Sequence, residues 1–188
     1  MTTTEETELS ESGATIKAIA VTLMTAIASK PEELRIRAKQ VGNAMGMEIR
    51  ASATDTPRLV GRGGQHADAW KLLLREAGDA LGLSVVATLL EPTGRKSEVK
   101  FKDFTNNPDW KSESVRSLVA LVAGCFLREP CNVLVTDLEK VTLVQIQPAY
   151  SELEAFPKEV EGALRLLLDV IGKSNGRLIQ LAESVCVR

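Results

Sequence analysis

Apolar residues recur along this chain at two spacings, and the switches between them mark its elements. Ile16, Ile19, Ala20, Leu23, Met24 and Ile27 fall at helical intervals, and Pro31 stands just past them as a stop. In Leu34-Arg35-Ile36-Arg37-Ala38-Lys39 apolar and basic residues alternate, the pattern of a strand with one wet face. Gly42-Asn43 breaks the alternation, and Met47, Ile49, Ala51 and Ala53 resume it as a second strand. Ala67, Trp70, Leu73, Leu74, Ala77 and Leu81 return to helical spacing, Gly82 ends the run, and Leu83, Val85, Ala87 and Leu89 give a third strand.

The order then repeats. Val115, Leu118, Val119, Val122 and Phe126 make a helical stripe, followed by Arg128-Glu129-Pro130 where the first half has Ser29-Lys30-Pro31. Asn132–Val135 and Leu143–Ile146 read as strands, Val160 to Ile171 as a helix, and Leu178 to Val187 as a closing strand. Lys71-Leu72-Leu73-Leu74 aligns with Arg165-Leu166-Leu167-Leu168, Trp70 with Leu164 and Gly82 with Gly176. Trp70 is therefore expected in the core. Val170 to Gly176 is expected as a helix end and turn.

Between the second strand and the second helix lies Leu59-Val60-Gly61-Arg62-Gly63-Gly64-Gln65-His66. Glycine serves where φ must be positive or where another backbone must come close. Free N–H groups and the helix dipole make such a helix start attractive to a phosphate. A Walker loop is excluded, because no lysine follows Gly64 before Lys71. A dinucleotide fingerprint would need a third glycine where His66 stands. Gly61 and Gly64 do frame a G-X-X-G loop, with Arg62 and Gly63 between them.

With that order of elements, residues 14–91 resemble a type II KH domain, close to the small KhpA-like RNA-binding proteins of bacteria. The likeness is carried by Lys30-Pro31-Glu32-Glu33, by Pro57-Arg58-Leu59-Val60-Gly61-Arg62-Gly63-Gly64 and by Leu72-Leu73-Leu74. It implies an α+β fold of two tandem KH-like domains, each a three-stranded sheet with helices packed on one face. It also implies a single-stranded RNA held at Arg58, Val60, Gly61, Arg62, Gly63, Gly64, Gln65, His66 and, less directly, Lys71. Leu59 and Val60 would divide between core and groove floor. The second copy departs from the pattern: Ala155-Phe156-Pro157-Lys158 replaces the glycine loop, among Glu152, Glu154, Glu159 and Glu161. That copy is expected to have lost RNA binding in the KH manner and to pack or bind a protein partner.

The implied division is an acidic disordered tail over 1–11, a first domain over 12–104, a linker over 105–111 and a second domain over 112–188. An added hairpin around Val99-Lys100-Phe101-Lys102 extends the first domain. Charge sharpens the picture a little. Net charge is −2 overall, yet residues 15–104 hold 14 Lys/Arg against 10 Asp/Glu, so the positive part is the part with the glycine loop. Arg35, Arg37 and Lys39 line one strand face, read as a solvated face or a further phosphate contact.

Only 4% of residues are aromatic, which suits a KH groove and not a stacking platform. There is no long uncharged apolar run and no visible signal peptide, so a cytoplasmic location is expected. Cys125, Cys131 and Cys186 lack zinc spacing and read as reduced thiols, and His66 is the sole histidine. No metal, cofactor or catalytic constellation is expected. The expected function is thus non-enzymatic RNA binding, as an RNA chaperone or post-transcriptional regulator, with single-stranded DNA as a related ligand and a homo-oligomer or protein partner through the second domain. The competing readings are an assembly module without nucleic-acid binding and a small-nucleotide site at the glycine turn.

Overall fold

The computed structural model describes residues 9–90, 112–127, 131–138, 140–148 and 157–182. Residues 1–8 of the tail expected over 1–11, the hairpin expected at 99–102, the linker expected over 105–111, the stretch 149–156 and residues 183–188, Cys186 among them, lie outside them, while Ser10 and Glu11 belong to the start of the first helix and not to a tail.

Ser10 caps the first helix, α1 (Glu11–Ile27), by accepting the Gly13 N–H on its Oγ at 3.1 Å. The helix therefore begins a turn earlier than its apolar stripe. β1 (Arg35–Val41) and β2 (Ala44–Arg50) form an antiparallel hairpin that closes at Val41 opposite Ala44. Gly42 makes this turn with φ of 59°. The tight turn starts β2 three residues before Met47, and the strand stops at Arg50, short of the expected Ala53. After α2 (Thr56–Val60) and a 3₁₀ turn at Arg62–Gly64 comes α3 (Gln65–Ala80). β3 (Ser84–Leu90) then lies parallel to β2, giving a mixed sheet of order β1-β2-β3.

The second half builds the same unit from α4 (Ser112–Phe126), β4 (Cys131–Leu138), β5 (Val141–Pro148), α5 (Lys158–Ser174) and β6 (Leu178–Leu181). Its sheet runs β4-β5-β6, antiparallel then parallel. The run from Val170 to Gly176 is the end of α5 and a turn, as the repeat alignment requires.

The repeat is visible in detail at the helix ends. A side chain on Gly78 would collide with Val85 and lie 2.8 Å from Leu83 O, and one on Gly172 would lie 2.6 Å from Arg177 O. In both units the backbone then turns back identically: Leu83 N–H donates to Gly78 O and Arg177 N–H to Gly172 O, each at 2.8 Å. Gly82 and Gly176 complete the two turns at φ of 74° and 65°.

The two units share one core. Each sheet carries its helices on its inner face, and the helix layers meet, α1 on α4 and α3 on α5. Ile16, Leu23, Met47, Ile49, Leu73 and Leu74 of the first unit join Leu118, Val122, Leu164, Leu167 and Ile171 of the second in a single buried cluster. Helices sandwiched between a sheet and other helices must be apolar over a wide arc, which explains the breadth of the stripe on α1. A polar contact also crosses between units, from Asn175 Nδ2 to Ala26 O at 3.4 Å. The order sheet, helices, helices, sheet leaves the outer face of both sheets open and sets the glycine turn at one end of the first.

Candidate nucleic-acid interface

The turn is anchored from behind by a buried carboxylate. Asp55, 1% exposed, accepts from Ser29 N–H at 2.8 Å, Ser29 Oγ at 2.7 Å, Lys30 N–H at 3.0 Å and Ser52 Oγ at 3.0 Å. Burial alone would raise its pKa, but these donors, led by Ser29, outweigh burial and hold the carboxyl below its ordinary 3.8. Asp55 thus ties the end of α1 to the start of α2. Leu59, on α2, is fully buried, and its carbonyl accepts the indole N–H of the fully buried Trp70 at 3.0 Å. Trp70 is core, as the repeat alignment places it, and Val60 is half-buried.

α2 ends at Gly61, whose N–H reaches Pro57 O at 2.8 Å and whose φ of 75° and ψ of 175° suit only glycine. Gly63, with φ of 62°, and Gly64, with φ of 86°, carry the chain round, and Gly64 N–H closes the turn on Gly61 O at 3.3 Å. Nothing lies within 4 Å of the position a side chain on Gly63 would take. Arg62, Gly63 and Gln65 are exposed, and α3 starts immediately behind them. Bare main chain, one guanidinium and the positive end of a sixteen-residue helix therefore share one exposed corner.

His66 packs against the turn itself. It is half-buried, its ring covers Gly61, and its Nδ1 is bonded to Arg58 O at 2.7 Å. It braces the turn from inside. Arg58 is half-buried on α2, next to the turn. Lys71 is exposed further along α3, with its ammonium 5.5 Å from the centre of the Trp70 ring. Apart from the more distant Lys71, the expected residues are brought together at this corner.

Two residues at the site were missed from sequence. Asp55 carries a detectable signal, the Ser52-x-x-Asp55 pair before a Thr-Pro helix start. Asp68 does not: it is exposed in the first turn of α3, with Oδ2 3.9 Å from where a side chain on Gly64 would begin. It puts one negative charge beside Gly64.

No protein-family model, curated protein or solved structure matches this chain. Among the described residues no cluster of three or more His, Cys, Asp or Glu could hold a metal, and no helix is long and apolar enough to cross a membrane. Burial raises the thiol pKa of Cys125 to about 11 and also raises that of Cys131, which disfavours the thiolate at both.

Proposed function

We propose that this protein is a non-enzymatic RNA-binding protein whose first unit, a type II KH-like module, grips single-stranded RNA at the glycine turn. The observation that carries the reading is the exposed main chain at Gly63, with open space above it, flanked by Arg62 and the start of α3. A phosphate can approach Gly63 and Gly64 more closely than it could approach any residue with a side chain. Arg62 supplies a paired donor fork to its oxygens. Gln65 lies at the same corner for a sugar or phosphate contact, and Arg58 and Val60 flank the strand. Lys71 contributes its charge from one side. The order helix, strand, strand, short helix, glycine turn, helix, strand and the mixed sheet are what such a module requires.

A site of this kind spans about four nucleotides and is weak alone, which fits a chaperone or regulator that acts on many RNAs. The test is a fluorescence anisotropy titration of short unstructured RNA with wild type and with Arg62→Asp/Gly63→Asp. Both positions are exposed, but Gly63 has a φ of 62° that strains any side chain, so a thermal melt checks that the variant stays folded. Affinity falls at least tenfold in the variant; equal affinity, or saturable binding of free nucleotides in place of RNA, contradicts the reading.

A second reading applies to the second unit. Leu134, Leu138 and Leu178 are exposed, and all three lie on the outer face of its sheet. This favours a protein contact there, with a second copy of the chain as the simplest occupant. Sedimentation of wild type against Leu134→Lys/Leu138→Lys distinguishes a dimer from a monomer.

A further inference from the structure

The outer face of the first sheet lies apart from the glycine turn. β1 sends Arg35, Arg37 and Lys39 outward, and β2 adds Glu48 and Arg50. By register Arg35 lies opposite Arg50, Arg37 opposite Glu48 and Lys39 opposite Gly46. Arg35 is turned back, its guanidinium donating to Glu32 O at 2.6 Å and Leu34 O at 2.9 Å. Arg37, Lys39 and Arg50 make no ion pair among the described residues, not even Arg37 with its register neighbour Glu48.

The second unit is an internal control. Its hairpin closes at Leu138 opposite Val141, as the first closes at Val41 opposite Ala44. Counted from these closing pairs, Arg35, Arg37 and Lys39 correspond to Asn132, Leu134 and Thr136, and Arg50 corresponds to Gln147. The fold therefore needs no cation at any of the four positions. Among the described residues, these cations occur only on the sheet whose unit carries the glycine turn.

We propose that this face is a second nucleic-acid surface, which holds the phosphates of a single strand without reading its bases. Alternate residues on a strand stand about 7 Å apart, a step comparable with that between phosphates of an extended single strand. Arg37 and Lys39 thus present charges at a usable interval. Beside them Gly46 leaves bare backbone in mid-sheet, with nothing within 4 Å of where its side chain would be. Val86, its neighbour on β3, is 66% exposed and offers apolar contact to a sugar or base. Arg50 is the last residue of β2, and the chain runs from it through Ser52–Asp55 into α2 and the turn. A strand longer than the turn can hold continues onto this face.

The test compares wild type, the turn variant Arg62→Asp/Gly63→Asp and the face variant Arg37→Gln/Lys39→Thr/Arg50→Gln. Each is titrated with a tetranucleotide, which fills only the turn, and with an unstructured RNA of about 20 nucleotides. The titrations are repeated over a salt series, and thermal melts check that the fold is retained. The face variant binds the tetranucleotide as wild type does but loses at least tenfold on the long strand. Its slope of log affinity against log salt falls by about 2, at about 0.7 for each phosphate that is no longer neutralised. The proposal is overturned if the long strand binds the face variant with wild-type affinity and slope, or if the tetranucleotide is weakened equally. A turn variant that binds both RNAs normally, beside a face variant that does not bind the long one, defeats the KH-like reading and leaves this proposal standing.

Discussion

The imidazole of His66 occupies the space that a side chain on Gly61 would need, and its Nδ1 bonds to Arg58 O at 2.7 Å. Glycine and histidine are thus one device. The missing Cβ admits the ring, and the ring ties the end of α2 to the first turn of α3.

Gly61→Ala is accordingly expected to lose on two counts, a backbone conformation that only glycine adopts freely and a collision with His66. The cost is about 1–3 kcal/mol from the backbone alone. His66→Ala removes one hydrogen bond, about 1 kcal/mol, and loosens the turn. Thermal denaturation should rank the two in that order, and both should weaken RNA binding more than their stability loss alone would.

Asp55 gives the fold an acid limit. Its folded pKa lies below the ordinary 3.8, so its stabilising effect is complete above that value and is lost as pH falls through the lower folded value. Asp55→Ala leaves the Ser29 and Lys30 donors unmatched and should cost about 3 kcal/mol at neutral pH. Denaturant melts from about pH 5 to pH 2 should show stability falling with acid in wild type and falling less in Asp55→Asn.

The two helix glycines that face strands test the repeat. Gly78→Ala and Gly172→Ala each press a methyl group onto backbone and strand, at a cost of about 1–3 kcal/mol. Gly124→Ala, exposed inside α4 with nothing within 4 Å, should instead stabilise by about 0.5–1 kcal/mol. Equal effects at all three sites in urea unfolding would contradict the shared packing.

Asp68 separates stability from function. Its carboxylate favours the helix start but would repel a phosphate bound at Gly64. Asp68→Asn should lower stability by about 0.5 kcal/mol and raise RNA affinity several-fold, an inverse pair that a merely structural residue would not give. Anisotropy and thermal melts on one preparation measure both.

Much of this was legible in the sequence. Apolar spacing located every long helix and every strand of the described residues, because burial on one face repeats at the period of the element. Gly61, Gly63 and Gly64 announced a turn that only glycine can make, and the alignment of Trp70 with Leu164 placed the indole in the core. Element ends were less legible. The start of α1 depends on the Ser10 hydroxyl, and the start of β2 on how tightly Gly42-Asn43 turns. The inward turn of His66 was not legible, since proximity in sequence does not say which way a ring points. Nor was the shared core: two amphipathic repeats look alike whether their helix layers meet or face water, and only the breadth of the stripe on α1 hints at the answer.

The central claim is that a nucleic-acid strand lies against the main chain of the glycine turn. Amide chemical-shift mapping of the isotope-labelled protein with a tetranucleotide tests it directly. The account predicts saturable shifts at Arg62, Gly63, Gly64 and Gln65, with little change at the second unit's sheet. An unmoved set of turn amides at saturating RNA, or shifts confined to the second unit, would contradict it.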